Sequence, residues 1–352
     1  MNVALIIPGS IWYAPYVRLY TKILDERGVQ YSIISWNREG DDSKEGIQYN
    51  VLCSTGHKSA NLFAYIGYVN FIKKKLRENK FDKLIVFGPQ MTCLLSFFLL
   101  AKYRTNFIID YRDLSIEQKF GFKQLFSMML RFSKLNIISS PGFKSCLPKG
   151  DYIISHNFDL NSAIQAIDED TQKVRLDIDE INVLTIGAIR DLSSNLEVVK
   201  SLGNKDKFAL QFIGKGDAAA DIAEYCKINN IRNVSFRGFY KKNEEASFIK
   251  ESTFLNIFYP RIITHDTALS NRFYNSLIYK RPMIVTKNTT QGDYVEQYQV
   301  GVAAENCDTL CCDLKQFLDN DFEEYSKRCN DLLKVFIREQ KEFENAVINF
   351  VS

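Results

Sequence analysis

The stretch "SNRFYNSLIYKRPMIVT", Ser270 to Thr286, runs a helical segment straight into a buried strand. The same alternation extends in both directions. Toward the N-terminus come "VALIIP", "YSIISW", "KLIVFG", "NFIIDY" and "LNIISS", then "INVLTIG", "FALQFIG", "NVSFRGF" and "FLNIFY"; "VGVAAE" follows it. Short, continuously apolar runs separated by helical stretches predict parallel sheets covered on both faces, an α/β class. One of the helices, "NLFAYIGYVNFIKKKLREN", carries Leu62, Tyr65, Ile66, Val69, Ile72 and Leu76 as an apolar stripe. The polar, acidic stretch from Asp159 to about Glu180 lacks a strand and reads as a linker. Two doubly wound domains in tandem are therefore expected, residues 1–160 and 161–330. Residues 331–352 complete a final helix, Glu323 to Phe350, with Leu332, Phe336, Phe343, Val347 and Phe350 on one side, expected to cross back to the first domain.

At 352 residues, 46% hydrophobic and 25% charged, the chain has ample material for two cores. A net charge of +3 is too slight to argue for nucleic acid. Eight cysteines show no CxxC pair and no metal-ligand spacing, so they read as reduced core thiols in the cytoplasm. The apolar start "MNVALIIPGS" has no basic leader and reads as a strand, not a signal peptide. Leu84 to Ala101 is uncharged over a length that can span a bilayer. Gly88-Pro89 divides it, however, so strand, turn and short helix is the expectation.

Two doubly wound domains are expected to face each other across a cleft lined by the carboxyl ends of their strands, where open α/β sheets bind ligands. GxGxxG, P-loop, GxSxG and HExxH are all absent, which removes the usual support for nicotinamide enzymes, kinases, serine hydrolases and zinc peptidases. Loops at strand ends remain. Gly9 and Ser10, after the opening strand, allow backbone approach to a diphosphate or an acceptor. In "GAIRDLSSNLE", Arg190 follows Gly187, and Ser194 or Asn195 is placed to cap the next helix. A guanidinium there suits a diphosphate leaving group; the competing reading is a surface pair with Asp191. Lys215, between Gly214 and Gly216, can add a second charge or be a solvated turn lysine. Gly238 lets the chain turn close to a planar ring, with Phe236, Phe239 and Tyr240 as base-pocket candidates or plain packing. Asp110, Arg112 and Asp113 cluster at a strand end, either to hold acceptor hydroxyls or to brace the loop as ion pairs. His265 beside Asp266 is a candidate sugar contact, while His57 and His156 read as structural.

In combination, "DYRDLS", "SSPGFKSCLPKGDYIISHN", "LTIGAIRDLSSNLEVV", "FIGKGD", "VSFRGF" and "SNRFYNSLIYKRPMIVT" resemble GT-B glycosyltransferases of the family 4 type. The likeness runs from the first strand to about Ala304 and is nearest to bacterial members that build capsule, O-antigen or exopolysaccharide. It implies retaining, metal-independent transfer from a nucleotide diphosphate sugar, with no cofactor, to a polyprenyl-diphosphate-linked saccharide at the inner membrane face. By that likeness Arg190 and Lys215 stabilise the leaving diphosphate and Phe236 to Tyr240 meet the base. His265 to Arg272, with Ser270 and Asn271 among them, lie against the donor sugar and phosphates. Asp110 to Asp113 face the acceptor side, together with the Gly9-Ser10 loop.

One departure stands out. Family 4 members commonly carry two glutamates with seven residues between them, the second gripping ribose hydroxyls; here Thr267 and Asn275 occupy those places. On the sequence alone, Asn275→Glu is expected to strengthen nucleotide binding. A GT-B-fold sugar-nucleotide epimerase and a catalytically inactive scaffold are the rival readings. A basic, aromatic segment, Lys119 to Leu135, with Phe120, Phe122, Phe126, Met129 and Phe132, is either a surface for anionic membrane or a core helix with a solvated basic edge.

Overall fold

The apolar runs form the strands of two wholly parallel sheets in the computed structural model, which describes residues 1–38, 40, 45–52, 58–168, 176, 179–319 and 324–352, the side chains of 58–62 excepted. Cys53 and His57 lie outside the described residues. By their contacts, Met1–Asn157 with Glu339–Ser352 form one unit and Phe158–Arg338 a second.

The first sheet comprises β1 (Asn2–Ile6), β2 (Gln30–Trp36), β3 (Ile47–Tyr49), β4 (Lys83–Phe87), β5 (Phe107–Tyr111), β6 (Leu135–Ile138) and β7 (Ile153–Ile154). Its order is β3-β2-β1-β4-β5-β6-β7, with Leu5 opposite Ile33 on one side and Ile85 on the other. Successive side chains of β1 point to opposite faces. Ala4 and Ile6 meet Trp36, Tyr68, Ile72 and Phe107, while Val3 and Leu5 meet Tyr20, Phe87, Phe343 and Val347. Burial on both faces is why these strands carry no polar alternation.

The second sheet comprises β8 (Ile181–Ala188), β9 (Phe208–Lys215), β10 (Val234–Arg237), β11 (Phe254–Ile257), β12 (Met283–Thr286) and β13 (Gly301–Ala304). Its order, β10-β9-β8-β11-β12-β13, repeats the same winding. Leu184 and Ile186 pack with Tyr274, Leu277 and Phe336 on one face; Ile181 and Val183 pack with Val198, Leu202, Ile222 and Leu310 on the other. The last helix, Tyr325–Val351, gives Leu332 and Phe336 to this core and Phe343, Val347 and Phe350 to that of the first unit.

Some local expectations shift. The expected linker begins with a helix, Leu160–Asp168, which buries Ala163 in the second unit's core; residues 169–175, 177 and 178 lie outside the described residues. On the helix Lys58–Glu78, Tyr68, Val69, Ile72 and Leu76 are buried and Tyr65 is half-buried against the same core, whereas Ile66 is exposed because its position points away from the sheet; the side chain of Leu62 lies outside the described residues. After β4 the apolar segment divides into two short helices, Pro89–Leu94 and Ser96–Lys102, with Gly88 at a φ of 80° at the break. Among the described residues no helix is long and apolar enough to cross a membrane. In the basic segment, helix Phe122–Phe132 buries Phe126 and Met129 in the first core, whereas Phe120 is 95% exposed and Phe122 is also on the surface.

Candidate functional site

In the second unit the chain runs outward from β8 to β10 and returns as β11 on the other side of β8, so the carboxyl ends of β8 and β11 part. Such a switch point opens a crevice. A cavity of about 370 Å³ lies there, its wall including Gly187, Arg190, Asp191, Tyr240, Glu245, Tyr259, His265, Ser270, Asn271, Arg272, Asn275 and Gln291. Two glycines shape the strand ends. Gly187 and Gly214 have φ of 98° and 134°, and a Cβ on Gly214 would fall 1.9 Å from the Gly187 carbonyl oxygen. Side chains are excluded there by sterics.

The loop after β8 is fixed from below. Ser194 and Asn195 are not caps; they lie inside helix Leu192–Leu202, buried, because Asp191 adopts the left-handed N-cap position at φ 58°. The Asn195 amide donates to the carbonyls of Arg190 (2.6 Å) and Asp191 (3.1 Å), and the Ser194 hydroxyl donates to the Asp191 carbonyl (3.1 Å). The backbone of Arg190 is thus held while its side chain stays exposed and makes no ion pair with Asp191 or any other described carboxylate.

Opposite stands the start of helix Asn271–Ile278. Ser270 caps it, accepting from the Phe273 N–H at 3.3 Å, and its own hydroxyl and N–H both donate to the buried Gln291 at 2.8 and 3.0 Å. Arg272 donates to the Ala188 carbonyl at 2.8 Å and lies 5.9 Å from the Tyr259 ring. Two guanidinium groups beside the N-terminal end of a helix, where the backbone dipole favours negative charge, make this wall suited to an anion.

A carboxylate completes the wall. Glu245 opens helix Glu245–Glu251, and its side chain is 14% exposed. One oxygen accepts from Lys242 Nζ (2.6 Å) and Asn275 Nδ2 (3.0 Å), the other from the Tyr240 hydroxyl (2.8 Å). Burial first, then the bond to Glu245, pushes the Tyr240 phenol up, so it donates throughout the physiological range. His265 sits in the short helix Ile263–Thr267 with its ring 5.0 Å from Tyr259, and its Nδ1 has no partner among the described residues. Asp266 pairs with Arg261 at 2.8 Å rather than with His265. Thr267 is buried, bonded to the Ile263 carbonyl.

Of the residues singled out in the second half of the sequence, Gly187, Arg190, Tyr240, His265, Ser270, Asn271, Arg272 and Asn275 come together in this wall. Gly214, Lys215, Phe236, Gly238 and Phe239 do not line it. Phe236 stacks on Phe212 at 5.2 Å, and Lys215 lies 5.7 Å from the 71% exposed Phe239. Glu245, Lys242, Tyr259 and Gln291 were not legible as site residues, since nothing in their local sequence sets them apart from ordinary helix and loop positions. Among the described residues no cluster of three metal-ligating side chains occurs.

The first unit has its own switch-point cavity, about 450 Å³, where the ends of β1 and β4 part. Gly9, Ser10, Tyr13, Tyr16, Arg38 and Gln90 line it, so Gly9 and Ser10 belong to this cavity rather than to that of the second unit. Asp110 and Arg112 are not hydroxyl-binding groups at its surface. Asp110 is fully buried and takes both bonds of the Arg112 fork (2.5 and 2.8 Å) and the Tyr20 hydroxyl (2.5 Å). Arg112 also donates to the Ser155 carbonyl and hydroxyl at 3.0 and 2.9 Å. The ion-pair reading of the cluster prevails because a buried guanidinium needs its carboxylate. Burial, then the Asp110 charge, pushes the Tyr16 phenol up to about 12. Asp113 is exposed and accepts from the Leu114 N–H at 2.8 Å.

Two parallel, doubly wound sheets of this order define the two-domain α/β GT-B fold. The chain is similar in structure to the lipopolysaccharide outer core galactosyltransferase WaaB, with a TM-score of 0.71, 14% identity and 99% of each chain covered. Sucrose-phosphate synthase from Thermosynechococcus elongatus gives 0.69 and 13%, covering 98% of each. Anabaena HepE, solved with UDP and glucose, gives 0.66 and 12%, again over 98% of each. A weaker likeness, TM-score 0.58 and 11% identity over 98% of this chain and 97% of the other, is to UDP-N-acetylglucosamine 2-epimerase from Rickettsia bellii. No family model matches the sequence. No curated protein sequence matches it either.

Proposed function

We propose that this chain is a retaining, metal-independent glycosyltransferase. It moves a sugar from a nucleotide diphosphate sugar to a polyprenyl-diphosphate-linked saccharide in bacterial surface polysaccharide synthesis. The observation that carries this reading is the wall of the second unit's cavity, where Arg190, Arg272 and the first turn of helix Asn271–Ile278 converge on a space that also holds Tyr240, Glu245 and Asn275. Arg190 and Arg272 neutralise charge that grows on the leaving diphosphate as the glycosidic bond breaks. His265 meets the donor sugar, and a donor phosphate oxygen takes the acceptor proton, so no side-chain nucleophile is needed. Lys215 is left out of this chemistry, standing outside the wall.

The first unit takes the acceptor in the cavity lined by Gly9, Ser10, Tyr16, Arg38 and Gln90, with Arg112, held by Asp110, 5.0 Å from the Tyr16 ring. Exposed Phe120 and Phe122 beside Lys119 and Lys123 meet anionic lipid at the inner membrane face, with the protein otherwise cytoplasmic. The likeness to WaaB and HepE supports the donor class.

The likeness to an epimerase, together with the unpartnered His265 Nδ1, favours sugar-nucleotide epimerisation as the second reading. Incubation with a panel of nucleotide sugars separates the two. Slow release of free nucleotide is the expected result. Interconversion of the sugar without release would replace the transferase by an epimerase, and absence of both with no binding would leave a non-catalytic fold.

A further inference from the structure

We propose that Glu245 is the group in this chain that grips the vicinal hydroxyls of the donor nucleotide's ribose, and that Asn275 is a positioning residue that aims it. The inference rests on the nucleotide-sugar reading of the cavity and deepens it.

Asp191 and Glu245 are the carboxylates in the wall. Glu245 is the better enclosed, at 14% side-chain exposure, and it opens a helix, where the backbone dipole favours negative charge. An ionised carboxylate has about four acceptor positions. Three are filled by named donors: Lys242 and Asn275 on Oε1, Tyr240 on Oε2. Oε2 therefore keeps room for one more O–H. Asn275 gives its Nδ2 to Glu245, which leaves the amide Oδ1 as a second acceptor, with no donor bonded to it among the described residues. A 1,2-diol presents two O–H donors, and Glu245 Oε2 with Asn275 Oδ1 supplies two acceptors joined by one hydrogen bond. The carboxylate that residue 275 lacks is thus delivered from another helix, thirty positions earlier in the chain.

This arrangement reverses the sequence-level expectation for Asn275→Glu. A second carboxylate within hydrogen-bond reach of Glu245 sets like charges together and removes one of the two donors on Oε1.

The test measures affinity of the full chain for UDP, ADP and GDP by titration calorimetry, then for the 2′-deoxy and 3′-deoxy counterparts of whichever binds. The native protein should prefer the ribonucleotide by roughly tenfold or more, since a hydrogen bond to a charged group is worth about that factor. Glu245→Gln should remove most of the preference with little change toward the deoxy forms, whose binding also reports that the variant is folded. Asn275→Ala should lower the same ratio by less, and Asn275→Glu should weaken ribonucleotide binding. Equal native affinity for ribo and deoxy forms, or a preference that survives Glu245→Gln, would overturn the inference while leaving the nucleotide-sugar reading intact. No binding of any nucleoside diphosphate would overturn both.

Discussion

The two units carry the same tetrapeptide just past a central strand, Arg112-Asp113-Leu114-Ser115 after β5 and Arg190-Asp191-Leu192-Ser193 after β8, and fold it to opposite ends. In the first, the arginine side chain is 10% exposed and locked onto Asp110, two residues before it in the strand. In the second, the residue two before the arginine is Ala188, which offers only a carbonyl, and Arg272 occupies that. Arg190 is left exposed at the cavity wall. A single strand position decides whether the guanidinium braces the fold or stays available to a ligand. The comparison teaches that charge at a strand end says little about function until its nearest carboxylate is known.

The largest expected effect breaks the braced side. Asp110→Ala strands Arg112 and the Tyr20 hydroxyl inside the first unit and should cost about 3–5 kcal/mol, read from denaturant unfolding. Asp110→Asn, which keeps one acceptor, should cost less. A loss below about 1 kcal/mol for the alanine variant would mean the pair does not brace the loop.

The open side should respond in the reverse sense. Arg190→Ala should lower turnover about 100-fold, as loss of one preorganised charge contact does, with unfolding unchanged because the side chain has no described ion pair. Unchanged turnover would take Arg190 out of the proposed chemistry, and a large drop in stability would erase the contrast with Arg112.

The smallest effect is a pH dependence belonging to the first unit. His156 is fully buried with Nε2 2.7 Å from a Glu339 carboxylate oxygen, and burial lowers its pKa against the pull of that carboxylate. A lowered folded value means the unfolded chain takes up the proton first as pH falls. The contribution is therefore whole above the unfolded value of about 6.5 and is lost as pH drops through the folded one. The melting-temperature gap between the native protein and His156→Asn should be constant from about pH 8 to 7 and shrink toward pH 5. A gap that widens in acid would show that His156 is held charged.

The α/β class and nearly every strand were legible because a strand buried on both faces must be almost continuously apolar; β1, β4 and β12 are so in their centres, and the polar residues inside β5 and β8, Asp110 and Thr185, are each hydrogen-bonded. Switch-point loops followed from the winding, so Arg190, Arg272 and Asn275 were within reach of sequence reasoning. What the sequence by itself could not decide was which groups share a wall. Glu245 and Asn275 are thirty residues apart and meet only because both helices pack against the face of the second sheet that buries Ile249 and Tyr274. The fate of two identical Arg-Asp-Leu-Ser segments was set by Asp110 against Ala188, a difference visible in the chain but without meaning until a strand fixes where the side chain points. Local patterning is dictated by burial, which every residue feels; pairing across elements depends on tertiary packing alone, which no local pattern encodes.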